Sequence, residues 1–293
     1  MVEDTMIVRL MGGLGNQFFQ YAFARKICIE NGEKLYLDTL SYRRDKKRNF
    51  ELQEYHIVIN KGKKITILLC NMLLLIGKVF KTDFILKKIF HVEYEQKILR
   101  QQQIDNPKGY FIGYWQNKNY FSSIKDILID ELQFSGEVNE TQKKILDKIQ
   151  NENSVAMHIR RGDYLSAECA DYRVIKKDYY YRALSYLKEY IDEAVIYVFS
   201  DDINWCKREF NDIENVFFVD EKISDSQHID FMLMRNCKYF IIANSTFSWW
   251  ASWLATYENK IVIAPEKWFY DEMACEELKN ALLGEAILME NDT

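Results

Sequence analysis

Short apolar runs alternate with longer segments of helical periodicity along most of the chain. Runs of strand type occupy 5–10, 34–38, 109–115, 155–159, 194–199, 216–219, 239–243 and 260–264. Segments of helical type occupy 16–30, 141–153, 178–190, 202–210, 226–237 and 246–257. Strands and helices that alternate with short loops predict an α/β fold, in which helices cover both faces of parallel sheets.

The alternation is interrupted between residues 41 and 103, where the pattern becomes mainly helical and basic. A polar stretch ends the helix predicted at 141–153, and we place a domain boundary there. The chain of 293 residues is long enough for two cores. We therefore predict a Rossmann-like N-terminal domain, 1–153, and a Rossmann-like C-terminal domain, 154–293.

Composition and charge indicate a globular protein with an uneven distribution of charge. Hydrophobic residues at 48% and aromatic residues at 15% exclude a disordered chain. Residues 43–100 carry fourteen Lys and Arg against six Asp and Glu, a net +8, while the remainder carries −13. This asymmetry predicts a basic face, which we connect with the anionic inner leaflet of a membrane rather than with nucleic acid.

The chain start and the cysteines indicate the compartment. The first residues are acidic and run directly into a strand, without the features of a signal peptide, so we expect a cytoplasmic protein. Six cysteines lie far apart in the sequence and are expected to be reduced thiols, mostly buried. The uncharged run 65–77 is too short to span a bilayer, and it is either a buried helix or a lysine-flanked interfacial helix.

The segment 155–164 places several polar residues at the end of a predicted strand. It reads Val-Ala-Met-His-Ile-Arg-Arg-Gly-Asp-Tyr, and its polar members are His158, Arg160, Arg161 and Asp163. Ligands of open α/β sheets bind outside the carboxyl ends of the strands. A guanidinium fork matches two phosphate oxygens, so the arginine pair indicates a diphosphate ligand. A surface salt-bridge cluster is the alternative.

The segment 12–17, Gly-Gly-Leu-Gly-Asn-Gln, lies between a predicted strand and a helix capped by Asn16. Such a loop brings backbone close to a ligand, or it is a tight turn only. Gly13 and Gly15 match part of a dinucleotide fingerprint, with Asp38 as the ribose-binding acid. A nicotinamide-dependent oxidoreductase is therefore one alternative function.

Acidic residues follow at two further places. Asp201 and Asp202 come after the strand 194–199 and either bind a ligand or cap the next helix. Asp230 stands among apolar residues of a predicted helix and needs a partner there. The N–H groups of a guanine base would suit it, as would Arg235. With four scattered histidines and no cysteine pair, we predict no metal site.

The segment 244–250, Asn-Ser-Thr-Phe-Ser-Trp-Trp, follows a strand and opens a helix. Hydroxyl groups beside the free N–H groups of a helix N-terminus form a phosphate site. The same residues also serve as an N-cap followed by a packed aromatic helix. These two roles are compatible.

Together, segments 12–17, 158–164 and 244–250 resemble the bacterial α-1,2-fucosyltransferases of glycosyltransferase family 11. The resemblance implies a GT-B fold, with two Rossmann-like domains that face each other across a cleft. It also implies inverting, metal-independent transfer of L-fucose from GDP-fucose to the 2-hydroxyl of a galactose-containing acceptor, as in surface polysaccharide or O-antigen synthesis. No cofactor is expected. A non-catalytic sugar-binding module is the second alternative.

The resemblance also implies roles for individual residues. Arg160 and Arg161 would hold the pyrophosphate, supported by His158, and Asp230 would contact the guanine. The phosphate and the fucose would be lined by Asn244, Ser245, Thr246 and Phe247. Gly15 and Asn16 would approach the donor and the acceptor from the N-terminal domain. Asp163 and Glu168 are the candidate general bases, if the reaction requires one.

Overall fold

A computed structural model describes residues 5–43, 45–60, 62–80, 91–165 and 170–291. The chain divides into two compact units, Met1–Leu132 and Gln133–Thr293. Each contains a parallel sheet covered by helices, as the hydrophobic pattern predicts.

The first unit contains a four-stranded parallel sheet with the order β2-β1-β4-β3. Its strands are β1 (Thr5–Arg9), β2 (Lys34–Asp38), β3 (Val92–Tyr94) and β4 (Gly109–Ile112). Its helices are α1 (Leu14–Asn31), α2 (Lys64–Phe80) and α3 (Lys125–Glu131). The strand predicted at 109–115 ends early because the Glu95 carboxylate accepts the N–H groups of Tyr114 and Trp115, at 2.6 and 2.9 Å.

Helix α1 forms the core of the first unit. Most of its circumference is buried, and the Phe23 ring stacks on the Trp115 ring with centroids 4.0 Å apart. Helix α2 packs Ile67, Cys70 and Leu74 onto the sheet. The described residues between 41 and 103 thus include the long helix α2 and strand β3, and the sequence did not indicate this strand.

The second unit contains a six-stranded parallel sheet with the order β10-β9-β8-β5-β6-β7. Its strands are β5 (Asn153–Ile159), β6 (Ala194–Ser200), β7 (Val216–Phe218), β8 (Tyr239–Ile241), β9 (Val262–Pro265) and β10 (Ile287–Met289). Its helices are α4 (Glu140–Asn151), α5 (Lys177–Lys188), α6 (Ile203–Glu209), α7 (Gln227–Arg235), α8 (Thr246–Leu254) and α9 (Glu272–Leu278). Each strand and helix predicted in this half is present, with ends shifted by a few residues.

The division between the two units falls between Leu132 and Gln133, before helix α4 and earlier in the chain than the predicted boundary near 153. Helix α4 packs against β5 and α7. Gln142 near its start also donates a 3.1 Å hydrogen bond to the carbonyl of Ile223. These contacts assign α4 to the second unit.

Five of the six cysteines lie in the described residues, and all five are buried free thiols, as predicted: Cys28, Cys70, Cys206, Cys237 and Cys275. Cys169 lies outside the described residues. Within the described part of the chain, every helix is too short or too polar to cross a bilayer.

Candidate active site

Three neighbouring strands of the second sheet bring the polar motifs to one edge. Strand β5 lies between β8 and β6, and it pairs with both in parallel. Their carboxyl ends therefore point the same way, and the residues that follow them share that edge. These are the segments 160–164, 201–202 and 242–246.

Arg160 is anchored to the end of β6. Its Nε atom lies 3.2 Å from a carboxylate oxygen of Asp201. The other Asp201 oxygen accepts the backbone N–H of Arg161 at 2.9 Å. Gly162 makes this approach possible, because a Cβ atom there would lie 2.9 Å from the Asp201 carboxylate.

Arg161 is held by an aromatic ring and by a second carboxylate. Its guanidinium carbon lies 3.9 Å from the centre of the Trp205 ring, and its Nε lies 3.7 Å from Asp202. That separation is an ion pair without a hydrogen bond. Asp202 also accepts the N–H of Trp205 as the N-cap of α6, so the capping role predicted for it is confirmed.

His158 lies beneath the arginine pair as a buried, neutral side chain. Burial, with a smaller contribution from the nearby Arg160 charge, lowers the pKa of His158 to about 3. Its ring centroid is 5.7 Å from that of Phe247 at the start of α8. His158 therefore joins the end of β5 to the helix N-terminus that follows β8.

Tyr164 makes a second connection between these two segments. Its hydroxyl donates a 2.8 Å hydrogen bond to the carbonyl of Asn244, and its ring centre is 5.8 Å from the Arg160 guanidinium carbon. The Asn244 side chain is fully buried and donates to the carbonyls of Arg173 and Trp268, at 2.7 and 3.1 Å. Asn244 thus fixes the loop that leads into α8.

Helix α8 begins as predicted, with Ser245 as its N-cap. The Ser245 hydroxyl accepts the N–H of Phe247 at 3.3 Å. Thr246 is the first helical residue and is half-buried. The Phe247 ring packs edge to face on Phe231 of α7, with centroids 5.4 Å apart. The helix that carries Asp230 therefore lies beside the arginine edge.

Three polar atoms at this edge are buried and make no hydrogen bond within the described residues. They are Nδ1 of His158, Nε of Arg161 and Oδ1 of Asn244. A buried polar group without a partner costs about 1–3 kcal/mol, so such groups are uncommon without a function. A guanidinium has five N–H donors, and an ion pair at Nε does not use all of them. The remaining N–H groups of Arg161 suit a phosphate-bearing ligand, whereas the Asn244 oxygen can only accept a hydrogen bond.

Asp230 is half-buried on α7, in surroundings that disfavour its charged form. Burial raises the pKa of Asp230 to about 6, against a smaller opposing effect of its hydrogen bond with Ser224. The partner that the structure gives Asp230 is thus the hydroxyl of Ser224, and not the Arg235 named as a candidate from the sequence. The ionised form of this buried carboxyl group is therefore unfavourable, and a nearby cation or N–H donor would stabilise it.

The glycine motif of the first unit differs from the prediction in one respect. Helix α1 begins at Leu14 with Gly13 as its N-cap, and Gly15 is buried within its first turn. Asn16 is therefore not the cap, and its side chain accepts a 2.8 Å hydrogen bond from Gln116. Gly12 has a φ of +76°, a left-handed conformation that favours glycine.

Two glutamine side chains of α1, Gln17 of the motif and Gln20 beyond it, hold the loop before the helix. Gln17 donates to the carbonyls of Gly12 and Asn49, at 3.2 and 2.8 Å. Gln20 accepts the N–H of Met11 at 2.9 Å and is fully buried. The shape of this turn is therefore set by side chains of the following helix.

Asp38 does not have the surroundings of a ribose-binding acid. It is fully buried, and its carboxylate accepts hydrogen bonds from the Leu40 N–H and the Asn71 amide, at 2.8 and 2.6 Å. The Tyr110 hydroxyl donates to it as well. Because these contacts use the carboxylate inside the protein core, Asp38 is not available to bind the ribose of a dinucleotide.

The remaining predictions from the sequence concern two candidate general bases and the absence of a metal site. Asp163 begins a short 3₁₀ turn, Asp163–Leu165, directly after the arginines. Glu168 lies outside the described residues. The described residues contain no group of three or more His, Cys, Asp or Glu side chains placed to bind a metal ion.

The family model for glycosyl transferase family 11 matches residues 5–286. An alpha-1,2-colitosyltransferase of Escherichia coli is 38% identical over 92% of this chain and 94% of its own. The O-antigen biosynthesis glycosyltransferase WbnK, also from Escherichia coli, is 34% identical over 89% and 93% of the two chains. The sequence motifs and the family match thus agree over nearly the whole chain.

The fold resembles that of a solved α-1,6-fucosyltransferase, NodZ from Bradyrhizobium, whose crystals were soaked with GDP-fucose. The TM-score is 0.50 at 12% identity, over 86% of this chain and 93% of NodZ. At that identity the likeness concerns the fold alone. It agrees with the predicted GT-B class.

Proposed function

Because the chain belongs to glycosyltransferase family 11, we propose that it transfers L-fucose from GDP-fucose to the 2-hydroxyl of a β-galactoside. We place this reaction in the cytoplasm, in the synthesis of a surface polysaccharide. The proposal is supported by its relatives, one of which forms an alpha-1,2 linkage while another acts in O-antigen biosynthesis.

The observation that carries the donor assignment is the arginine pair at the end of β5, where Nε of Arg161 is buried and makes no hydrogen bond within the described residues. Cleavage of the bond between fucose C1 and the phosphate oxygen develops negative charge on the departing GDP. Fixed donors aimed at that charge lower the barrier, and no metal is needed if they suffice. Arg160 and Arg161, with the N-terminus of α8, supply these donors in the proposed site.

Inversion requires the acceptor hydroxyl to attack fucose C1 on the face opposite to GDP. The hydroxyl proton then leaves to a base or to solvent, and Asp163 and Glu168 are the carboxylates near the arginines in sequence. His158 is unsuited to this role, because its lowered pKa, about 3, makes it a very weak base. We assign the base to Glu168, and Asp163 is the alternative.

A second donor deserves direct comparison, because the relative at 38% identity is a colitosyltransferase. Colitose is L-fucose without its 3-hydroxyl group. A site that hydrogen-bonds this hydroxyl rejects the deoxy sugar strongly, whereas an apolar site discriminates weakly. The ratio of kcat/KM for GDP-fucose and GDP-colitose therefore identifies the donor.

The proposed function is tested by GDP release from each donor across a panel of β-galactosides, in the presence of EDTA. We expect release that depends on acceptor, and NMR of the product should show an α-1,2 linkage. Glycan binding without GDP release would instead support a sugar-binding module. Protection of the protein from heat by NAD but not by GDP would support the oxidoreductase.

A further inference from the structure

Helix α2 has two different faces. One face, with Ile67, Cys70 and Leu74, packs on the sheet of the first unit. On the same side the Asn71 amide reaches the buried Asp38 carboxylate at 2.6 Å. These contacts fix the rotation of the helix about its axis.

The opposite face is apolar and exposed. Five large hydrophobic side chains on it are between 41% and 76% exposed: Ile65, Leu68, Met72, Leu75 and Ile76. Their spacing of three, four, three and one residues places them on one stripe of an α-helix. Scattered exposed hydrophobic residues are ordinary, but a continuous stripe marks a binding surface.

The charges around this stripe identify its partner. Lys63 and Lys64 stand at the start of α2. The surrounding segment 43–100 has a net charge of +8 in a chain that is otherwise −13. An apolar helix face flanked by lysines suits the boundary between acyl chains and anionic headgroups, whereas protein interfaces are depleted of lysine.

We propose that the exposed stripe of α2 docks the protein onto an anionic lipid surface. Its 17 residues span about 26 Å, and one side is already packed on the sheet, so the helix lies in the interface plane. The acidic remainder of the chain is repelled by the same surface, which orients the basic segment toward it. This inference is independent of the donor and of the acceptor.

Cosedimentation with lipid vesicles tests the proposal on the full-length chain. Vesicles of phosphatidylcholine alone are compared with vesicles that also contain phosphatidylglycerol, at low and at high salt. We expect binding to the anionic vesicles, weakened by salt. The double variant Leu68→Gln/Met72→Gln should bind about tenfold more weakly or worse, because it removes two inserting side chains.

Matched controls separate docking from general effects. Met273→Gln changes an equally exposed apolar residue on α9 and should bind as the wild type does. Lys64→Glu should weaken binding severalfold, whereas Lys188→Glu at the end of α5 should have a much smaller effect. Since all five substituted positions are exposed, the thermal unfolding midpoint should remain unchanged.

The proposal is overturned if the wild type does not sediment with anionic vesicles, or if the double variant and Met273→Gln behave alike. It is also overturned if the double variant abolishes a concentration-dependent dimer in analytical ultracentrifugation without changing vesicle binding. In that case the stripe is an interface between two copies of the chain.

Discussion

The guanidinium group of Arg161 lies against the Trp205 ring, with 3.9 Å between the guanidinium carbon and the ring centre. Arg161 follows strand β5 and Trp205 lies on α6, so the contact joins two neighbouring crossovers of the second sheet. The ring restricts the plane of the guanidinium group, and with it the direction in which its N–H groups point. Trp205 is therefore a positioning residue for the proposed diphosphate site.

Replacement of Trp205 by leucine should lower kcat/KM for the donor by roughly tenfold, because a cation–π contact contributes about 1 kcal/mol or more. Trp205→Phe keeps an aromatic face and should recover most of the loss. Steady-state kinetics with varied GDP-fucose measure both variants. Equal losses in the two variants would show that the aromatic face does not position Arg161.

Asp230→Asn should change stability and ligand binding in opposite directions. The folded-state pKa of Asp230 is about 6, above its ordinary 3.8, so the ionised group disfavours folding at pH above 6. The amide removes this penalty, and the variant should be more stable by up to about 3 kcal/mol near neutral pH. The difference should vanish below pH ~4, where the unfolded chain is also protonated.

The same variant should bind GDP more weakly, if the Asp230 carboxylate accepts the guanine N–H groups. Denaturant unfolding across pH and calorimetric titration with GDP measure the two effects. A variant that is less stable than the wild type at neutral pH would contradict the burial of a costly carboxylate. Unchanged GDP affinity would remove Asp230 from the donor site.

The pH dependence of kcat should identify the base. Because the pKa of His158 is lowered to about 3, protonation of this residue cannot produce an acidic limb above pH ~4. Glu168→Gln should therefore remove the acidic limb of the wild-type profile, and Asp163→Asn should retain it. An unchanged limb in Glu168→Gln would assign the base elsewhere, or would show that none is needed.

Asp38→Ala should destabilise the first unit by about 3 kcal/mol, because it leaves the Leu40 N–H, Asn71 and Tyr110 without their buried acceptor. Asp45→Ala is the matched control, since its carboxylate caps an exposed turn through Lys47 and Arg48. Thermal unfolding measures both. The dinucleotide interpretation would be favoured if both variants lost the same small amount of stability. It would also be favoured if NAD protected the wild type, but not Asp38→Ala, from thermal unfolding.

The placement of the main motifs was predictable from sequence for a topological reason. Parallel strands present their carboxyl ends at one edge, so His158, Arg160 and Asn244 were expected at the same edge once the alternation of strands and helices was recognised. Their direct proximity depends on the pairing of β5 with β8, which the sequence did not indicate. Ser245 was identifiable as a cap because it follows a strand and precedes an aromatic helix. Residue types and the order of strands and helices were sufficient to predict the sheet edge at which these motifs lie.

Other features depend on contacts between residues far apart in the sequence. Trp205 has the pattern of an ordinary core residue in a short helix, and only its proximity to Arg161 shows its role. The partners of Asp38 come from α2 and β4, so the sequence left this acid available for a ribose. Strands β3 and β10 are short edge strands, and their sequences did not indicate a strand.

The central claim is that Arg160 and Arg161 bind the diphosphate of the donor. Its kinetic consequence is a loss of ~10²-fold or more in kcat for Arg160→Ala and for Arg161→Ala, as for removal of one transition-state donor. Arg208→Ala is the matched control, because Arg208 is an exposed arginine on α6. It should retain wild-type turnover.

The most direct test is calorimetric titration of the wild type and both variants with GDP and with guanosine, in the presence of EDTA. We predict that the wild type binds GDP at least tenfold more tightly than guanosine, and that each alanine variant loses most of this preference while keeping its affinity for guanosine. Arginine variants that retain the full preference for GDP would contradict the account.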